Sequence, residues 1–171
     1  MTRFRLANQK RTLWLVLLLA FFARPAKLVP AQNPNQAIGK QLLQKYAGND
    51  DWQSLYGHPK VLPRLQQLLG PELRHLRSNL EVSGAVDVVG GDLSINGNAP
   101  HQGTEEEAVV CISTYNLEAS AATFSKRTVT IYSRASSYEY LSRCIKDWIT
   151  LVNSEHRDRT TQPKNVRIVR R

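Results

Sequence analysis

The residues best equipped for chemistry lie in one short stretch flanked by glycines, Gly97-Asn98-Ala99-Pro100-His101-Gln102-Gly103, with Glu105-Glu106-Glu107 close behind. Pro100 fixes its own φ, which helps hold the imidazole of His101 outward. A rigid, projecting histidine donates hydrogen bonds to a partner's carboxylates, most strongly when protonated. Pro100, His101, Gln102 and Gly103 are therefore the candidate partner-binding loop. The plainer reading is a polar hairpin loop whose histidine does nothing, and spacing alone favours it. His101 with Glu105, Glu106 and Glu107 also has the composition of a metal or acid/base cluster. Three consecutive carboxylates entering a strand point in alternating directions, however, and are ordinarily solvated. No catalytic residue, metal ligand or cofactor is expected. Ser113, Ser125 and Ser133 lie in strands without the Gly-x-Ser-x-Gly elbow that activates a nucleophile. His58 and His75 read as surface or packing residues, and Trp52, Tyr56, Trp148, Tyr138 and Tyr140 as core and rim aromatics.

The loop needs a sheet to carry it, and the flanking pattern supplies one. Val82, Ala85 to Val89 and Leu93 to Asn96 are β-rich, with a turn at Gly90-Gly91. Ala108-Val109-Val110-Cys111-Ile112 is a continuous apolar run, as expected of a strand buried on both faces. Asn116-Leu117-Glu118 turns the chain into Ala119 to Ser125, and Lys126-Arg127 turns it into Thr128 to Ser133. The result is an antiparallel meander of about four or five strands. Upstream, Ile38, Leu42, Leu43 and Tyr46 recur at helical spacing after a polar linker over 31–36, and Val61, Leu62, Leu65, Leu68 and Leu69 do so before Gly70. Pro71 opens a further short helix. Downstream, Ser136 and Glu139 have capping-box spacing, and Leu141, Cys144, Ile145, Trp148 and Val152 form one apolar stripe. The fold class is α+β: N-terminal helices, a meander, and one C-terminal helix on the sheet.

Charge and cysteine content bound the setting. The formal net charge is +9. Residues 1–31 contribute +6, with six basic and no acidic residues, and residues 154–171 contribute +4; the segment 32–153 carries −1. The domain therefore lacks the basic face that nucleic acid requires. Residues 1–31 combine a cationic start, the apolar run Leu13 to Ala23 and small residues before Gln32, which together read as a cleaved export signal. As a helix the run is roughly 16 Å long against a bilayer core of ~30 Å, so a membrane anchor is the lesser alternative. Either way the domain is expected outside the cytoplasm, periplasmic or secreted. Residues 154–171 read as a disordered basic tail. Cys111 and Cys144 are an even pair on inward faces, which suggests one disulfide closing a loop of about 34 residues, worth roughly 4 kcal/mol in the chain-entropy model. Two buried free thiols are the alternative.

At the loop and the strand after it the sequence resembles the inhibitor of vertebrate lysozyme family, exported bacterial proteins that block c-type lysozymes. In that family a loop Cys-x-Pro-His-x-Cys protrudes, and its histidine enters the lysozyme cleft to engage the catalytic carboxylates. The corresponding stretch is Asn98-Ala99-Pro100-His101-Gln102-Gly103, followed by Ala108-Val109-Val110, and the resemblance covers about residues 62–134. It implies a non-enzymatic binding protein in which His101 meets a c-type lysozyme. One departure matters. Asn98 and Gly103 replace both loop cysteines, so the loop disulfide cannot form. Ordering several free residues at roughly 1–2 kcal/mol each would then cancel much of the affinity, leaving a function weakened or redirected. The competing expectation is an envelope interaction protein without an enzyme target, in which the loop is incidental and the tail or aromatic surface meets another envelope protein.

Overall fold

Alternate residues of the Ala108–Ile112 run face opposite ways, and both directions are filled. In a computed structural model of the chain, residues 33–155 and 165–170 are described. The expected export signal, residues 1–31, lies outside them, as does the 156–164 part of the basic tail. Ala108, Val110 and Ile112 join one hydrophobic cluster with the N-terminal helices, whereas Val109 and Cys111 join a second with the C-terminal helix. The sheet is thus the middle layer of three, which is why its central strand carries no polar face.

The helices come first. Helix α1 (Pro34–Tyr46) is capped by Asn33, whose side chain accepts from the Asn35 N–H at 3.0 Å, with Pro34 at the position where a missing N–H costs nothing. It begins inside the stretch expected to be a polar linker. Helix α2 (Trp52–Tyr56) is capped by Asp51, whose side chain accepts from the Ser54 N–H at 3.2 Å. Helix α3 (Leu62–Leu69) ends at Gly70, and a 3-10 turn, Gly70–Glu72, leads into α4 (Leu73–Ser78). Leu42, Leu55, Leu65, Leu69 and Leu76 from these helices are all buried on one face of the sheet.

Seven strands follow among the described residues: β1 (Val82–Ser83), β2 (Asp87–Val89), β3 (Asp92–Asn98), β4 (Glu106–Ser113), β5 (Ala119–Ser125), β6 (Thr128–Ser133) and β7 (Val166–Arg170). Their order is β1-β3-β4-β5-β6-β7, with β2 also against β3, and every pairing but β6–β7 is antiparallel. Strands β3 to β6 are the expected meander. Gly90-Gly91 and Lys126-Arg127 close two-residue hairpins with positive φ at both positions, the turn whose twist matches that of the strands.

Two expectations are corrected. The tail is not unstructured throughout: Val166–Arg170 runs parallel to β6, because Val166 and Ile168 reach the cluster that holds Val109 and Cys111 while Val169 reaches the other. The C-terminal helix α5 (Arg143–Glu155) starts later than the Ser136/Glu139 spacing suggests. Ser137 instead bonds Glu139 beside a 3-10 turn over Tyr138–Tyr140, and the Ser142 hydroxyl accepts from the Ile145 N–H at 3.4 Å. The stripe holds as read, with Cys144, Ile145, Trp148 and Val152 of α5, and Leu141 just before it, buried against the sheet. Cys144 on α5 and Cys111 on β4 form the disulfide, their Cα atoms 6.2 Å apart, within the usual span of such a bridge.

Candidate functional site

The β3–β4 connection holds the four candidate residues together at its tip. Ala99 is buried, and Pro100 to Glu105 are exposed. The Gln102 N–H donates to the Ala99 carbonyl at 3.0 Å across Pro100 and His101. Proline in the second place and a positive φ of 61° at His101 in the third are the marks of a type II turn. Histidine is one of the few side chains enriched in this left-handed conformation. The turn therefore fixes the backbone of His101, while its ring stands in solvent.

Further backbone bonds close the loop behind the turn. The Ala99 N–H donates to the Glu106 carbonyl at 2.9 Å, and the N–H groups of Glu105 and Glu106 both donate to the Gln102 carbonyl at 3.0 Å. Asn98, the last residue of β3, donates its side-chain amide to the Ala99 carbonyl at 2.9 Å. A Cβ built on Gly103 would lie 3.6 Å from Asn98 Nδ2, so these two positions face each other across the loop. Hydrogen bonds thus close the loop where no covalent link is present.

The acidic run behaves differently from the solvated triplet expected. Glu105 is exposed, but Glu106 points to the face occupied by α4, as do Ala108 and Val110 on the same strand. Its carboxylate accepts from Ser125 Oγ at 2.5 Å and Asn79 Nδ2 at 3.2 Å, and it meets His75 Nε2 at 3.2 Å. Partial burial raises the Glu106 pKa, but the bonds from Ser125, Asn79 and His75 together outweigh it, and the net shift is downward. The carboxylate sits between Ser125 and His75, so the trio has no serine–imidazole contact with which to activate a nucleophile.

His75 does more than the surface or packing role its sequence context suggests, and its link to Glu106 is the main contact that local spacing does not reveal. The available signal was register: antiparallel pairing places Glu106 directly opposite Ser125. His58 lies in the turn before α3, where its Nδ1 accepts from the Lys60 N–H at 3.2 Å. Burial lowers its pKa, helped by Lys45 and Lys60. Two polar clefts of about 520 and 330 Å³ share Asn116, Glu118 and Arg134 at the opposite end of the sheet, and neither is lined by the loop. Among the described residues no group of three or more His, Cys, Asp or Glu is placed to hold a metal ion.

A family model described as inhibitor of vertebrate lysozyme matches residues 60–154, more than half of the chain. The chain belongs to that family. The match runs from the turn before α3 to the end of α5 and contains the whole β3–β4 loop. Helices α1 and α2 and strand β7 lie outside it. Comparison with curated proteins and with solved structures returned no match. Membership assigns the chain to a non-enzymatic inhibitor family.

Proposed function

We propose that this protein is exported and inhibits a c-type lysozyme by inserting the Pro100–Gly103 turn into the enzyme's cleft, where His101 bonds the catalytic carboxylates. The observation that carries the reading is the tip itself: an exposed imidazole on a backbone fixed by a proline-led turn, in a chain of the inhibitor family. A charged or neutral imidazole presents N–H donors, and a pair of carboxylates presents only acceptors when ionised. The loop's own hydrogen bonds support this reading despite the missing cysteines, since a turn formed before binding loses less backbone entropy on association. Gln102 and Gly103 give the turn its closing hydrogen bond and its slender exit.

The export reading rests on the cationic and apolar pattern of residues 1–31 and agrees with the Cys111–Cys144 disulfide, a bond that persists in oxidising compartments. Among the described residues no helix is long and apolar enough to cross a membrane. Intact mass of the exported protein, with and without reductant and thiol label, fixes the processing site and the bridge together.

The test of function is steady-state turnover of a c-type lysozyme on a cell-wall suspension. Added protein is expected to slow lysis in proportion to its concentration, and His101→Ala to remove the effect. Normal turnover in a molar excess of folded protein overturns the reading.

A further inference from the structure

We propose that Glu106 is the positioning residue of the His101 loop, performing with hydrogen bonds the tethering that a loop disulfide performs elsewhere in the family. The inference rests on the reading of this loop as the lysozyme-binding element. Its basis is that one residue is fixed at both its ends. The main chain of Glu106 closes the loop in two directions, its carbonyl accepting from Ala99 and its N–H donating to Gln102. Its carboxylate is gripped by His75 of α4, by Asn79 just after that helix and by Ser125 from the end of β5. Asn79 is only 2% exposed, so its amide is itself immobile.

A charged acceptor held by donors on two separate elements is a stronger fixture than a neutral bond. Glu105, one position earlier, is exposed and closes the loop only through its main chain. The path from anchor to tip is short: Glu106 holds the Gln102 carbonyl and the Ala99 N–H, the two residues that bracket Pro100-His101. Losing the carboxylate frees the strand entrance, and with it the turn that aims the imidazole.

The experiment replaces the anchor and then supplies the missing covalent link. Amide hydrogen exchange is followed at Ala99, Gln102, Glu105 and Glu106, with the β5–β6 amides as internal reference, alongside inhibition of a c-type lysozyme. In Glu106→Ala the loop amides are expected to exchange about tenfold faster while the reference amides stay unchanged, and inhibition is expected to weaken about tenfold. Glu106→Gln retains one acceptor oxygen and falls between. Adding Asn98→Cys and Gly103→Cys to Glu106→Ala is expected to restore both readouts, because these two positions face each other across the loop and correspond to the bridged cysteines of the family's loop. Loop amides that exchange as in the parent, or that change only in step with the reference amides, overturn the proposal, as does failure of the bridged variant to slow loop exchange. Should the parent protein inhibit no lysozyme, the functional reading falls, and the exchange measurement still decides whether Glu106 holds the loop.

Discussion

The molecule fastens two of its parts by opposite means. Helix α5 is held to the sheet by a covalent bond between Cys111 and Cys144, reinforced by a buried apolar seam. The His101 loop is held by backbone hydrogen bonds and by one carboxylate with three polar partners. The first kind of fastening is indifferent to pH and removes freedom from the unfolded chain; the second acts on the folded state alone and depends on protonation. The lesson is that the body and the binding element of this chain can be weakened independently, and each prediction below attacks one side of that contrast.

The largest effect is expected from the body. Replacing both Cys111 and Cys144 by alanine should lower stability by about 2–4 kcal/mol, since the bridge joins residues 33 apart in sequence. Urea denaturation measures this, and lysozyme inhibition per folded molecule should not change. A parallel loss of inhibition would show that the two parts are not separate.

Next comes Gly39→Ala, at the close approach of α1 to the β4–β5 turn. A Cβ there would run into the backbone carbonyl of Thr114, which leaves no flexible side chain to yield. The expected cost is about 1–3 kcal/mol in the same denaturation assay, again with the loop unaffected. A change in the opposite sense is expected from the β5–β6 hairpin. Lys126 and Arg127 hold φ of 50° and 60°, a conformation that asparagine and glycine adopt far more readily. Lys126→Asn combined with Arg127→Gly should raise stability by about 1 kcal/mol.

The smallest global effect, and the sharpest local one, is expected from acid. The folded pKa of Glu106 lies below its usual 4.5, so its contribution is complete above that value and is lost as pH falls through the lower folded pKa. Protection of the Gln102 and Glu106 amides, taken relative to the intrinsic exchange rate at each pH, should therefore fall in acid well before the midpoint of global unfolding is reached. Loop exchange that tracks global unfolding at every pH would erase the distinction.

Local pattern made the body legible and left the loop's support hidden. The uninterrupted Ala108–Ile112 run foretold a strand covered on both sides, and the Leu141–Val152 stripe placed Cys144 where Cys111 can reach it. Those features depend on neighbours in sequence. Strand β7 depends on a distant partner: its Val166, Ile168 and Val169 sit among arginines, and only pairing with β6 gives them a core to enter. The start of α5 was misplaced because Ser136/Glu139 and Ser142 offer rival caps, and spacing does not rank them. The loop was legible as a motif, through Pro100 and His101, whereas the grip on Glu106 joins His75 to a residue 31 positions away. No periodicity announces a contact of that kind.

The central claim is that His101, presented by this loop, occupies the catalytic cleft of a c-type lysozyme. The most direct measurement is calorimetric titration of that enzyme with the protein, in the absence and presence of an N-acetylglucosamine oligosaccharide that fills the cleft, repeated with His101→Ala. The account predicts binding that the oligosaccharide competes away and that the variant lacks. Tight binding that survives both a filled cleft and the loss of His101 would contradict it.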